Sequence, residues 1–277
     1  RVRELGAELE AMGWPCLWRP ETAGRDVMVS SATILDATTT LKMATGIAQI
    51  HARNPLTTAA AQKTLHEASG GRFLLGLGVS HAPFVEGARK LDYSKPYTAM
   101  VDHLAGMKEA PFLAPTGEGT PTTVLAALGP KMLQLAATEA DGAHPYFSPV
   151  EHTAYARDIM GAGPLLAPEL MVAIHPERPT ALALARHHMA RYLALPNYTN
   201  NLLRHGFTDD DISEVSERLV DAIVVCGSID DVVVRVAEHH DAGADHVCIQ
   251  VLTDGTDLPM QHWQDLAGAF GLSAPAD

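Results

Sequence analysis

The most informative segment of this chain reads Ser69-Gly-Gly-Arg-Phe-Leu-Leu-Gly-Leu-Gly-Val-Ser-His81. Paired glycines end a helix, a short apolar strand follows, and a Gly-x-Gly sequence leads to Ser80 and His81. This order places a flexible backbone and an ionisable side chain at the C-terminal end of a buried parallel strand. In α/β proteins this end of the strands is where ligands bind and reactions occur.

On both sides of this segment, helices alternate with short apolar strands. A helix over Val2–Met12 comes first, with no strand before it, and helices separate the strands that follow. The helices expected further along include one capped by Thr57 or Thr58, one over Val150–Met160, two over Asn197–Leu219, of which the second is capped by Thr208 or Asp209, and one over Ile229–Asp241. The predicted strands are Cys16–Trp18, Leu41–Ile50, Arg72–Gly78, Thr122–Leu128, Gly142–Tyr146, Glu169–His175 and His246–Leu252. Ala222–Cys226 is either a brief strand or an extended segment that leads into the next helix. The pattern favours an α/β TIM barrel of the (β/α)8 type whose first strand is missing from this sequence. An open doubly wound sheet is the alternative.

Composition narrows the class of protein. The chain has 277 residues, of which 47% are hydrophobic, and no convincing linker, so one domain over residues 1–277 is expected. Its net charge is −13 without a Lys/Arg cluster, which argues against nucleic acid or an anionic membrane surface as a partner. No apolar run approaches the roughly 18 residues of a membrane span. Three widely separated cysteines predict reduced thiols in a cytoplasmic protein.

His81 is a candidate for proton transfer. A lone histidine is more often structural, but this one follows a barrel strand, and its unperturbed pKa suits acid–base work near neutrality. The preceding Gly76-x-Gly78 lacks the spacing of a dinucleotide fingerprint. Gly46 interrupts the apolar run over Leu41–Ile50, either as a bulge for close packing or as a backbone pressed against a flat ligand. Both interpretations remain open.

Two further sites carry polar or backbone groups at strand ends. At Leu128-Gly129-Pro130-Lys131, free N–H groups at a helix start could bind a phosphate with Lys131 as an extra charge, although an ordinary βα loop is the alternative. Glu21 follows the first strand, where Trp18 could form the wall of a cofactor pocket. The 14 histidines show no metal-ligand spacing, so no metal is expected.

Several motifs together resemble the bacterial-luciferase-like superfamily of barrel flavin and deazaflavin enzymes. The motifs occur in order along nearly the whole chain: Leu17-Trp18 with Glu21, Thr45-Gly46-Ile47, Arg53-Asn-Pro55, the segment from Ser69 to Gly78, Ala127-Leu-Gly-Pro130, Ala140-Asp-Gly142 and Ala242-Gly-Ala-Asp245. Two more, Val79-Ser-His-Ala-Pro83 and Leu195-Pro-Asn-Tyr198, resemble a branch of coenzyme F420-dependent oxidoreductases.

This resemblance implies a homodimer with its cofactor across the C-terminal mouth of the barrel. It implies a non-prolyl cis peptide at Gly46–Ile47 that supports the deazaflavin ring, and a phosphate grip at the turn before Lys131. The cofactor contacts expected on these grounds are Trp18, Gly46, Ile47, Gly78, Ser80, Leu128, Gly129, Pro130 and Lys131.

One departure limits what the resemblance implies. Sugar-phosphate and alcohol dehydrogenases of the family carry Asp-His after the second strand, where this chain has Glu21-Thr22. His81 stands where the sugar-phosphate enzymes place a catalytic glutamate. Their acid–base pair and their substrates therefore do not carry over, and His81 remains the candidate for proton handling.

The resulting expectation is hydride transfer between a small organic substrate and C5 of F420. His81 would donate or accept the proton, and Glu21 would provide a second polar contact. One alternative is an FMN-dependent luciferase-like monooxygenase, and another is a flavin- or deazaflavin-binding homologue without catalysis.

Overall fold

The computed structural model describes residues 1–255 and 257–275 of the chain. These residues form two compact units. The first comprises Arg1–Ala126, Thr138–Asp141 and residues 273–275, and the second comprises Ala127–Ala137 and the described residues of 142–272. The single domain expected over residues 1–277 stays a prediction.

The first unit contains five parallel strands and four α-helices. The strands are β1 (Cys16–Arg19), β2 (Lys42–Thr45), β3 (Ala48–Gln49), β4 (Phe73–Gly78) and β5 (Thr122–Leu125), in the order β1-β2-β4-β5, with β3 also paired to β4. The helices are α1 (Val2–Ala11), α2 (Val27–Asp36), α3 (Pro55–Ala68) and α4 (Pro96–Glu109). A 3-10 turn over Ile50–Ala52 and a π-helical segment over Pro83–Ala88 follow β3 and β4.

The sequence predicts one strand over Leu41–Ile50, and this prediction is wrong, because the segment forms two separate strands, β2 and β3. The peptide between Gly46 and Ile47 is cis, as the family resemblance implies, and it separates β2 from β3. At the break, the Thr45 hydroxyl donates to the Gly76 carbonyl at 2.7 Å and accepts from the Gly76 N–H at 2.8 Å. A side chain therefore replaces the backbone ladder between the two neighbouring strands at this point.

Helix α3 also begins earlier than predicted. Thr57 or Thr58 was the expected cap, but the Asn54 side chain accepts the Thr57 N–H at 2.8 Å and Pro55 takes the first helical position. Proline fits there because its missing N–H would have no intrahelical acceptor.

The second unit contains two groups of parallel strands and most of the remaining helices. Strand β6 (Gly142–Ala143) pairs with β7 (Leu165–Leu166), and β8 (Glu169–Ile174) lies between β9 (Val224–Gly227) and β10 (Cys248–Val251). The helices are α5 (Pro130–Glu139, which begins in this unit), α6 (Val150–Met160), α7 (Arg178–Leu193), α8 (Pro196–Arg204), α9 (Asp209–Glu214), α10 (Glu217–Ile223), α11 (Ile229–Asp241) and α12 (Met260–Ala269).

Two predictions in this unit are wrong in detail. Strand β7 has only two residues and no alternating pattern, so the sequence did not indicate it. The two helices expected over Asn197–Leu219 are three, because Val215 takes a left-handed conformation that ends α9 before α10 begins. Thr208 caps α9 as expected, in a capping box with Asp211.

Each unit buries apolar side chains against its own strands. In the first, Met43, Leu75, Leu77 and Val124 are at most 1% exposed. In the second, a cluster around Phe147 and Met171 packs between β8 and helices α7, α8 and α10. No helix among the described residues is long and apolar enough to cross a membrane.

Candidate functional site

Glu21 is a buried anchor at the C-terminal end of β1. Its carboxylate accepts two hydrogen bonds from Arg53, at 2.7 and 3.0 Å, and one from the Gln49 N–H at 2.8 Å. Its own N–H donates to the Ile47 carbonyl at 3.1 Å. The Glu21 and Arg53 side chains are only 6% and 11% exposed, so the pair is shielded from water. Glu21 thereby ties the end of β1 to β3 and to the chain that follows it.

Arg53 extends this arrangement to the next helix. Its Nη2 group also contacts Asp26, whose carboxylate caps α2 by accepting the Met28 and Val29 N–H groups. Burial of Asp26 opposes ionisation, but the hydrogen bonds from Val29 and Arg53 and the Arg53 charge together lower its pKa. Burial by itself lowers the pKa of Arg53. The hydrogen bonds to Glu21 and Asp26, together with their negative charges, outweigh burial, so the pKa of Arg53 is raised. Asp26 and Arg53 therefore stay charged near neutral pH.

Gly78 and Ile47 pack directly against each other. A Cβ atom added at Gly78 would lie 2.5 and 2.6 Å from two carbons of the Ile47 side chain. At Gly76 the added Cβ would lie 2.0 Å from the Thr45 carbonyl oxygen. Glycine is therefore required at positions 76 and 78, because the segment from Thr45 to Ile47 packs directly against β4 at these two positions.

The backbone of Val79–His81 is held from two sides. Ser80 has a φ of 61°, and its carbonyl accepts a hydrogen bond from the Tyr93 hydroxyl at 2.8 Å. The His81 carbonyl accepts from the N–H groups of Phe84 and Val85, both at 3.0 Å, and so begins the π-helical segment. The His81 side chain is half-buried. The turn that carries the proton-transfer candidate is therefore fixed rather than an open loop.

His51 lies beside this turn. Burial, together with the charge of Arg89, lowers its pKa, while a hydrogen bond with the Val79 backbone and the charge of Asp92 act in the opposite direction. Its Nδ1 atom is buried and has no hydrogen-bond partner among the described residues. Its ring centroid lies 6.0 Å from that of Tyr93. Trp18, in β1, is half-buried and lies opposite Ala44 of β2.

The second unit contains the turn at Leu128–Lys131. Helix α5 begins at Pro130, and a Cβ added at Gly129 would meet no atom within 4 Å. Lys131 is exposed. The backbone at this helix start is accordingly open, with the helix dipole directed toward the turn, which is the arrangement that binds anions.

His152 contacts this turn through the Leu128 carbonyl group. Its Nε2 atom lies 3.0 Å from the Leu128 carbonyl oxygen, and its side chain is completely buried. Burial lowers its pKa to about 4, so the ring is neutral near pH 7 and donates from Nε2. No group of three or more His, Cys, Asp or Glu side chains among the described residues is arranged to hold a metal ion.

Several residues of these arrangements were not predicted from the sequence, among them Gln49, Arg89, Tyr93 and His152. Gln49 had a signal, because it is a polar residue at the end of a run that is otherwise apolar. The contacts of Arg89 and Tyr93 span 40 and 13 residues, and that of His152 spans 24, which no local pattern reveals.

Parallel strands alternate with helices in both units, and in the first unit polar groups lie where the strands end, which is the arrangement of an α/β protein with a site at its strand ends. A family model for luciferase-like monooxygenases matches residues 1–246. The chain belongs to this family, and the resemblance found in its motifs is confirmed.

Individual relatives and structures agree with this assignment. A Mycobacterium tuberculosis protein named "Putative coenzyme F420-dependent oxidoreductase" is 26% identical over 91% of this chain and 90% of its own length. The structure of an F420-dependent secondary alcohol dehydrogenase with an F420–acetone adduct superposes with a TM-score of 0.77 at 13% identity, covering 95% of this chain and 92% of that one.

A third similar structure contains a different cofactor. The oxygenating constituent of a type II Baeyer–Villiger monooxygenase from Pseudomonas putida, in complex with FMN, gives a TM-score of 0.72 at 16% identity, covering 99% of this chain and 92% of that one. The structural similarities confirm the predicted fold class, the luciferase-like TIM barrel.

Proposed function

We propose that this protein is an F420-dependent oxidoreductase that transfers a hydride between a small organic substrate and C5 of the coenzyme. The observation that carries the proposal is the similarity, over nine-tenths of both chains, to the relative named for F420. The coenzyme supplies the redox chemistry when bound, and the protein supplies binding, orientation and exclusion of water.

The turn at Leu128, Gly129 and Pro130 suits the phosphate of such a coenzyme. The space around Gly129 is open, so an anion can approach the N–H groups at the start of α5 without a side chain in its way. Lys131 would add a charge at the surface. His152 would act as a positioning residue, because its hydrogen bond orients the Leu128 peptide.

In the first unit, we assign the ring contacts to Trp18, Gly46, Ile47, Gly78 and Ser80. The Ile47 side chain covers Gly78 and offers an apolar surface at the end of β4. His81, on the turn fixed by Tyr93, would donate or accept the substrate proton. We assign Glu21 to positioning rather than to substrate contact, because its carboxylate already accepts three hydrogen bonds from Arg53 and Gln49.

The test is a fluorescence titration of the purified protein with F420, in parallel with FMN. Saturable F420 binding, followed by reduction of bound F420 with an electron-donor panel, is the expected result. Binding of FMN alone would favour the luciferase-like monooxygenase, which the FMN-containing structural neighbour supports. F420 binding without turnover by any donor or acceptor would favour the non-catalytic homologue.

We also propose a homodimer. Val29 of α2 and Leu56 of α3 are 67% and 51% exposed, although both are apolar and their helices are neighbours. The family resemblance implies a dimer, and these side chains are where we propose that the second copy makes contact. Light scattering should give twice the mass of the chain, and V29D/L56D should reduce it to the mass of the monomer.

We also propose that the protein is cytoplasmic, and the three free cysteines agree with this location.

A further inference from the structure

Arg89 is held in one orientation at the C-terminal end of the π-helical segment. Its Nε group donates to the Gln49 side-chain oxygen at 3.1 Å, and its Cζ atom lies 5.3 Å from the centroid of the Phe84 ring. The hydrogen bond restrains one edge of the guanidinium, and the aromatic contact restrains its position further. The side chain is half-buried.

The anchor of Arg89 is itself rigid. Gln49 is 7% exposed and lies opposite Gly78 in the β3–β4 pairing. Its N–H donates to the Glu21 carboxylate and its side-chain amide donates to the Glu21 carbonyl, both at 2.8 Å. Arg89 is therefore fixed to the strand ends from which the chain leads through Val79 and Ser80 to His81.

Arg89 has no carboxylate within ion-pair distance among the described residues, in contrast to Arg53, which pairs with both Glu21 and Asp26. The chain has 33 acidic residues and 20 Lys and Arg residues, so acidic partners are in excess. The Nε contact also leaves the two Nη groups, which are the pair that binds a carboxylate in the forked geometry.

We propose that Arg89 binds a carboxylate group of the substrate, an inference that rests on the proposed function. The substrate class is then an organic acid anion whose reacting carbon lies near His81. The F420 molecule has carboxylates of its own, so binding is tested both with and without F420.

The test measures binding of benzoate and of its uncharged analogue benzamide by calorimetry, with and without saturating F420. Wild-type protein should bind benzoate about ten- to a hundredfold more tightly, since a charge-assisted hydrogen bond contributes about 1.5–3 kcal/mol. R89Q should abolish the preference and R89K should keep part of it. R191Q is the matched control, because Arg191 also stacks on an aromatic ring, at 5.0 Å from Tyr192, in α7.

Each result decides the question. Equal or absent binding of the two probes by wild type, or a benzoate preference that survives in R89Q, would overturn the proposal. If F420 abolishes the benzoate preference and R89Q weakens F420 binding, Arg89 holds the coenzyme's carboxylate and the substrate assignment is wrong. F420 binding without a benzoate preference would overturn the Arg89 proposal and leave the proposed function intact. A benzoate preference without F420 binding would remove the proposed function and leave Arg89 as a carboxylate site only, without the substrate assignment. Unchanged thermal melting of R89Q excludes misfolding.

Discussion

At the scale of single residues, the ion pair of Glu21 and Arg53 determines what Glu21 can do. A carboxylate that accepts three hydrogen bonds at 6% side-chain exposure holds the strand ends together, and its removal leaves the Arg53 guanidinium with only Asp26. Removing one partner of a buried pair typically costs about 3–5 kcal/mol. We expect E21Q to lower the free energy of unfolding by about 2–3 kcal/mol, because Asp26 compensates in part.

Urea denaturation measures this loss, and E4Q is the control because the Glu4 side chain is 66% exposed. If the E21Q protein is as stable as the E4Q protein, Glu21 does not act as a structural anchor, and a polar contact with the substrate is again its expected role.

The second residue-scale prediction concerns His81. If it moves the substrate proton, H81A should lower kcat by about 10²–10⁴-fold with little change in F420 affinity. Steady-state rates with F420 measure the effect. H187A is the control, since His187 is exposed on α7. An unchanged kcat in H81A would remove His81 from the mechanism.

At the scale of elements, two glycines at strand ends should respond in opposite ways to the same substitution. Gly129 has open space, so G129V should leave stability nearly unchanged while it weakens F420 binding by crowding the helix start. Gly78 contacts the Ile47 side chain, so G78V should destabilise the protein by about 1–3 kcal/mol.

Thermal melting and F420 titration of both variants separate the two effects. Full F420 affinity in a folded G129V protein would place the phosphate elsewhere.

Local sequence patterns predict some of the helices and strands correctly and miss others. Helices α6 and α11 have the predicted bounds, because hydrophobic periodicity and caps define them locally. The break at Gly46 could be suspected only as a bulge or from the resemblance, since the contact that defines it joins Thr45 to Gly76. Strand β7 is too short to have a pattern.

Part of the candidate site could also be predicted from the sequence, and part of it could not. Glu21, Gly129 and His81 follow strands, and position alone indicated them. Their roles depend on partners far along the chain, such as Arg53 for Glu21 and His152 for Leu128. Pairings of this kind form when the strands come together, and a single sequence does not encode them in any local spacing.

At the scale of the whole molecule, buried neutral histidines should govern stability in mild acid. His103, His152 and His239 are at most 5% exposed, and burial lowers the pKa of each to about 4. The unfolded chain binds their protons near pH 6.5, so it holds more protons than the folded protein between about pH 6.5 and 4. Stability is therefore complete above pH 6.5 and falls as the pH decreases through this range.

The size and the range of the effect make it testable. Between pH 7.5 and 5, each histidine should remove about 1–2 kcal/mol from the free energy of unfolding. Carboxylates add little here. Burial opposes ionisation of Glu10, but hydrogen bonds from Thr39, Thr40 and Leu41 lower its pKa to about 2, so its contribution is lost only below its unfolded value near 4.3.

Urea denaturation at a series of pH values measures the slope. In H239Q, which replaces the ring bonded to Thr153, the slope should be shallower by one proton, and H187Q should leave it unchanged. A free energy of unfolding that stays constant from pH 7.5 to 5 would mean that these rings are already charged in the folded protein. In that case the neutral His152, and with it the donor to the Leu128 carbonyl, would have to be assigned differently.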